Sequence, residues 1–195
     1  DVPEFAHCPL IHGPDGAKFS KRHGATSVEE YRDMGYLPQA MRNYLVRLGW
    51  AHGDDEFFSD AQMLEWFDLP QIGKSAARFD FKKLENLNGQ HMRIADDAVL
   101  TKAAVALRKV QDGTDTSEAK QALLQEAMGG LKERAKTFPE LIEKARFILA
   151  SRPISPDDKA SNNLDPVSRG ILLELTPHLQ TATWDRGTLE EVLND

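Results

Sequence analysis

Apolar residues recur at three- and four-residue spacing along most of the chain, and the polar positions between them carry helix start and stop signals. Ser27 and Glu30 make a capping-box pair ahead of Tyr31, and Gly35 supplies the positive φ that a helix end favours. Pro38 suits a first helical position, and Ala40, Met41, Tyr44, Leu45 and Leu48 form a stripe that stops at Gly49. Ser59 with Gln62 predicts another helix, bearing Met63, Leu64, Trp66 and Phe67 at the spacing of a buried face, before a turn over 70–73. Only residues 5–11 read as a strand, being short, apolar and bounded by Pro3 and the Gly13 turn.

Plainer amphipathic helices follow a boundary predicted near 93–98. Val99, Leu100, Ala103, Leu107 and Val110 make one stripe, and 111–116 read as a polar loop. Ala119, Ala122, Leu123 and Ala127 suggest a second helix that Gly129-Gly130 should end. Pro139 can open a third, with Leu141, Ile142, Ala145, Ile148 and Leu149 inside, and Asp165-Pro166 a last one reaching Leu175. The expected fold is mainly α: a small domain over 1–95 with a short N-terminal strand, then an all-helical domain over 96–195.

Composition narrows the class. The 195 residues are 41% hydrophobic and 28% charged, enough for a core, and no stretch is long enough to cross a bilayer. The first residues lack the basic and apolar regions of a secretion signal. A single cysteine, Cys8, cannot form an internal disulfide and reads as a small buried side chain. His7, Cys8 and His12 fit no zinc spacing, so no metal site is expected.

The densest chemistry lies at Lys18-Phe19-Ser20-Lys21-Arg22, between the Gly13-Pro14-Asp15-Gly16 turn and His23-Gly24. Lysine brings compact charge, arginine a planar donor fork and serine a close hydroxyl, a combination suited to phosphate. A solvated basic loop would have the same composition. The net charge of -7 is far from a general RNA binder's, but screening confines charge effects to about 8 Å, so local clusters matter. Lys74, Arg78, Lys82, Lys83, His91 and Arg93 form one such group, and Lys132, Arg134 and Lys136 another. Salt-bridged helix faces are the competing reading of both.

The order of motifs adds what composition lacks. Lys18-Phe19-Ser20-Lys21-Arg22, then residues 23–28, Gly35-Tyr36-Leu37-Pro38, Asn43-Tyr44-Leu45, Leu48-Gly49-Trp50 and 74–80 resemble the bacterial glutamyl-tRNA synthetases in sequence and order. Beyond Arg93 the resemblance thins to residues 131–137 and Trp184. No His-x-Gly-His signature and no Gly-rich strand-to-helix turn is present, so a piece of such an enzyme, without its nucleotide-binding Rossmann domain and truncated at its C-terminus, is expected.

The resemblance implies specific roles. Residues 1–95 would be the stem-contact domain and 96–195 the anticodon-binding domain, helical rather than the β-barrel of glutaminyl relatives. In the complete enzyme Lys18, Ser20, Lys21 and Arg22 would serve the activation of glutamate by ATP with Mg2+, with Lys21 on the ATP phosphates. Arg42, Arg47, Lys74, Arg78 and Lys83 would contact the tRNA backbone. Arg134, with Lys132 and Lys136 beside it, would read the anticodon. Glutamate-accepting tRNA is the implied partner, with no membrane, a cytoplasmic setting and a monomer. The chain by itself is expected to bind tRNA without catalysing and to carry no bound cofactor. A stand-alone tRNA-binding module and a helical protein-interaction domain are the alternatives.

Overall fold

The computed structural model describes residues 2–194 apart from 4, 6, 25 and 26, and the described chain is built from helices. It divides into two compact units, 1–150 and 151–195. In the first unit the helices are α1 (Val28–Asp33), α2 (Pro38–Gly49), α3 (Asp60–Trp66), α4 (Phe81–Ile94), α5 (Asp97–Asp112), α6 (Glu118–Lys132), α7 (Phe138–Lys144) and α8 (Arg146–Leu149). Their starts follow the predicted chemistry: Ser27 and Ser59 accept from the backbone of Glu30 and Gln62, and both capping boxes are complete. Pro38 occupies the first turn of α2, and Gly35 turns the chain after α1 at φ 88°.

Three apolar clusters hold this unit. Tyr31, Tyr36, Met41, Tyr44, Phe79, Leu84 and Leu87 form an aromatic-rich core between α1, α2 and α4. Trp50, Phe58 and Met63 seal a smaller one beside α3. The largest joins Leu37, Ala40 and Met92 to Leu100, Leu124, Met128, Leu141 and Leu149. That core runs across the expected division at 95/96, because α4 packs on α6 as well as on α2.

Several local expectations are corrected. Residues 5–11 form no strand among the described positions. Pro9 has no N–H to give a ladder, Phe5 and Leu10 are exposed, and pairing is confined to isolated bridges of His12 with Lys18 and Arg78. Cys8, outside any packed element, is exposed. Helix α6 passes straight through Gly129-Gly130, because Leu124, Met128 and Leu131 on one face are buried and offset a cost of about 1 kcal/mol per glycine. The inward stripe is therefore set one residue on from the expected one, and Leu123 is exposed. Phe67 is also exposed, whereas Trp66 is half-buried and stacks on His52.

The second unit holds α9 (Asp158–Asn163), α10 (Pro166–Thr181) and α11 (Arg186–Asn194). Asp165 caps α10 as predicted, accepting from Ser168 N at 2.7 Å, and the helix runs past Leu175 and through Pro177. No residue of α10 is buried, and Val167, Leu173 and Trp184 are exposed.

Candidate phosphate loop and basic groove

The 12–24 loop is a tight reversal built on its glycines. Gly13 N donates to Ala17 O at 2.8 Å, Gly16 N to Gly13 O at 2.9 Å and Phe19 N to Ile11 O at 2.9 Å, with Gly16 at φ 79°. His12 ties this reversal to residues 77–79: its N–H donates to Ala77 O and its carbonyl accepts from Phe79 N, both at 2.8 Å. Phe19 anchors the loop, its ring stacked 4.6 Å from Phe79. Residues Lys21–His23 then make one 3-10 turn.

The cations of the loop are sorted by what they touch. Arg22 pairs with Asp15 at 3.1 Å, whereas the exposed Lys18 and Lys21 have no ion pair among the described residues. Hydrogen bonds from His23 and then from Ala17 hold the Asp15 carboxyl below its usual range, with the charge of Arg22 adding to this. Two free ammonium groups on a fixed turn can receive phosphate oxygens. No three His, Cys, Asp or Glu side chains among the described residues converge on a metal position.

A second basic site lies where α2 meets α4. Arg47, Arg78 and Lys83 line a cavity of about 240 Å³ with Asn86 and Gln90, over a floor of Tyr44, Leu48 and Leu87. Glu56 also lines it, 4.0 Å from Arg47 and 3.9 Å from Lys83, so three cations face one carboxylate and the groove is net positive. The walls are well supported. Buried Asn43 donates to Glu56 O at 3.0 Å, Tyr44 Oη accepts from Asp80 N at 2.6 Å, and Asp80 caps α4 at Lys82 and Lys83.

The structure thus gathers three of the five expected backbone contacts. Lys74 is exposed but does not line the groove, and Arg42 is bound to Asp60 in a two-point ion pair that lowers the Asp60 carboxyl and raises the guanidinium. His91, counted in the basic group, is buried: its Nε2 donates to Asn43 Oδ1 at 3.1 Å, and desolvation holds its pKa down.

Of the three cations in the 131–137 segment, only the exposed Arg134 has neither an ion pair nor a side-chain hydrogen bond among the described residues. Lys132 is drawn inward, with Nζ 2.7 Å from Asp97 and 2.9 Å from Ala95 O. Lys136 Nζ donates to Asn86 at 2.7 Å, and its carbonyl accepts from Asn88 at 2.5 Å. The segment is therefore fastened to α4, and Lys136 reaches a residue that lines the groove. Asp15 and His23, which composition did not single out, have the pattern Gly-Pro-Asp-Gly ahead of Arg-His-Gly as their only sequence signal.

Comparison with known proteins fits this layout. Residues 1–86 match the family model of the class I tRNA synthetases (E and Q), catalytic domain, and residues 82–195 match that of the anticodon binding domain. The chain is 61% identical over 194 residues to glutamate–tRNA ligase 2 of Roseobacter denitrificans, covering all of this chain and 42% of that protein. Glutamate–tRNA ligase 1 of Dinoroseobacter shibae is likewise 61% identical, over 99% of this chain and 41% of that protein. The chain thus spans about two fifths of the length of these relatives. Among solved structures, a glutamate tRNA ligase from Elizabethkingia meningosepticum in complex with its amino acid superimposes with a TM-score of 0.76 at 28% identity, covering the whole of this chain and 42% of that one. The chain belongs to the anticodon binding domain family through residues 82–195, joined to a segment of the class I synthetase catalytic family for glutamate and glutamine.

Proposed function

We propose that this chain is the tRNA-binding portion of a glutamate–tRNA ligase and that, alone, it holds tRNA without catalysing. The observation that carries this reading is the convergence of Arg47, Arg78 and Lys83 in one net-positive groove beside a loop with two free lysines. Such cations neutralise phosphates and fix the register of an RNA without reading its sequence. Arg134 is the candidate for a base contact, since unstacked anticodon bases are read by hydrogen bonding and stacking. Lys132 and Lys136, already bonded to protein, would support the segment rather than touch RNA.

In the complete ligase the glutamate carboxylate attacks the α-phosphorus of ATP, pyrophosphate leaves, and a terminal ribose hydroxyl of the tRNA then takes the glutamyl group from the adenylate. Lys21, seconded by Lys18, stabilises charge gathering on the leaving phosphates, a role whose loss costs about 3 to 4 kcal/mol. Ser20 shapes the loop and Arg22 supports it through Asp15. No group of three His, Cys, Asp or Glu side chains among the described residues is placed to hold Mg2+. The setting proposed is a cytoplasmic monomer; no described helix is long and apolar enough to cross a membrane.

A fluorescence titration of this chain with glutamate tRNA and with anticodon-exchanged versions, at two salt concentrations, tests the reading. Binding should weaken steeply with salt, and Arg78→Ala should reduce the slope of log affinity against log salt by about 1. Binding that ignores both salt and Arg78 would count against the groove. Absence of any binding at low salt would favour a protein-interaction domain instead.

A further inference from the structure

His23 has no part in the phosphate chemistry above and Asp15 enters it only through Arg22, yet each is tied into the loop by several hydrogen bonds. The His23 side chain keeps only 7% of its surface exposed, against 64% for neighbouring Arg22. Its ring lies against Gly13, where a Cβ would come within 2.6 Å of Cδ2, and it is stacked on Phe19 at 5.8 Å with planes 16° apart. Glycine at position 13 is thus what lets the imidazole in.

Both ring nitrogens are used. Ser20 N lies 3.1 Å from Nδ1 and Ser20 Oγ 3.3 Å from it, while Nε2 is 3.0 Å from Asp15 Oδ1. A backbone N–H can only donate, so Nδ1 presents its lone pair and Nε2 carries the proton directed at Asp15. With the proton there, Arg22 Nε, 3.3 Å from Nε2, is a neighbour rather than a donor to it. Asp15 also accepts from Ala17 N at 3.0 Å and from Arg22 at 3.1 Å. One imidazole therefore joins the main chain at Ser20, in the centre of the signature loop, to the carboxylate that restrains Arg22.

We propose that His23 and Asp15 are positioning residues that clamp this loop, fixing the turn at Ser20 so that Lys18 and Lys21 stay free while Arg22 is withheld from the phosphates. This rests on the ligase reading, through which the loop acquires a substrate. Neither residue touches ATP; both act through Ser20 and Arg22.

Two measurements test the clamp. In this chain, amide hydrogen exchange should find the Ser20 N–H protected, the protection lost in His23→Ala and kept in His23→Asn, whose Oδ1 stands near the place of Nδ1. In the full-length ligase carrying this chain, ATP–pyrophosphate exchange with glutamate tRNA present should show kcat lowered by about 100-fold in His23→Ala, as expected for a misplaced catalytic group. The KM for glutamate and the affinity for tRNA should not move, and His23→Asn should recover most of the rate while His23→Leu does not. A Ser20 amide that exchanges freely in the unaltered chain overturns the clamp whatever the enzyme does. So does an active ligase in which His23→Ala keeps its kcat. A protected Ser20 amide in a full-length protein without any exchange activity would instead sink the ligase reading, and the catalytic role of the clamp with it.

Discussion

Asn88 shows at the residue scale what a side chain does when every polar atom is used. Fully buried on α4, it accepts from Leu37 N at 2.8 Å and donates to Lys136 O at 2.5 Å, tying the start of α2 to the 131–137 segment. Asn88→Ala should destabilise the chain by about 1 to 3 kcal/mol for each group left unpaired, read as a lower urea midpoint with little change in slope. Lys18 and Lys21 were legible in the sequence because their setting is local, a glycine turn on one side and Ser20 between them. Lys132 and Lys136 were not, because the groups that claim them lie on α4 and α5 or their junction. Asn86, for example, is 50 residues from Lys136. A charge with a distant partner reads, from composition, like a free one.

At the scale of elements, caps were readable and helix ends only in part: Gly35 and Gly49 mark ends as expected, Gly129-Gly130 does not. Ser27, Ser59 and Asp165 announce their helices through three-residue spacing alone. Gly129-Gly130 looks like an end, yet the burial of Met128 and Leu131 on either side overrides the local preference. Gly35 is the opposite case, where the local signal also has a tertiary cause: its carbonyl accepts from Phe138 N at 3.2 Å, and a Cβ there would stand 2.3 Å from Pro139 Cδ. Gly35→Ala should cost about 1 to 3 kcal/mol in backbone strain alone, with the collision added, and thermal melting should show it.

The α2–α4 contact carries a pH dependence. Burial lowers the folded-state pKa of His91, an effect that nearby Arg42 reinforces and Asp60 opposes. Below the ordinary histidine value of about 6.5 the unfolded chain binds a proton that the folded one resists, so stability is full above that pH and falls as pH drops through the folded value. Urea midpoints between pH 7.5 and 5 should decline in the native chain and decline less in His91→Gln.

For the whole molecule, the net charge of -7 misleads if taken as an average. The acidic residues are spread over many elements, while Arg47, Arg78 and Lys83 meet in one groove that only the packing of α2 against α4 creates. Order and resemblance offered those residues as candidates together with Arg42 and Lys74, and the fold brings these three to one cavity. It also explains why Arg42 is not among them, since Asp60 on α3 takes its guanidinium. The division into parts was less legible, because a core shared by Leu37, Met92 and Leu100 leaves no compositional seam at residue 95. The claim that rests on all of this is that the chain grips tRNA at the groove and, through the helical residues that follow, at the anticodon arm. Hydroxyl-radical footprinting of glutamate tRNA bound to this chain tests it most directly. Protection is predicted on the inner side of the tRNA bend and in the anticodon loop, the first lost in a variant combining Arg47→Ala, Arg78→Ala and Lys83→Ala. Uniform weak protection along the tRNA, unchanged in that variant, would contradict it.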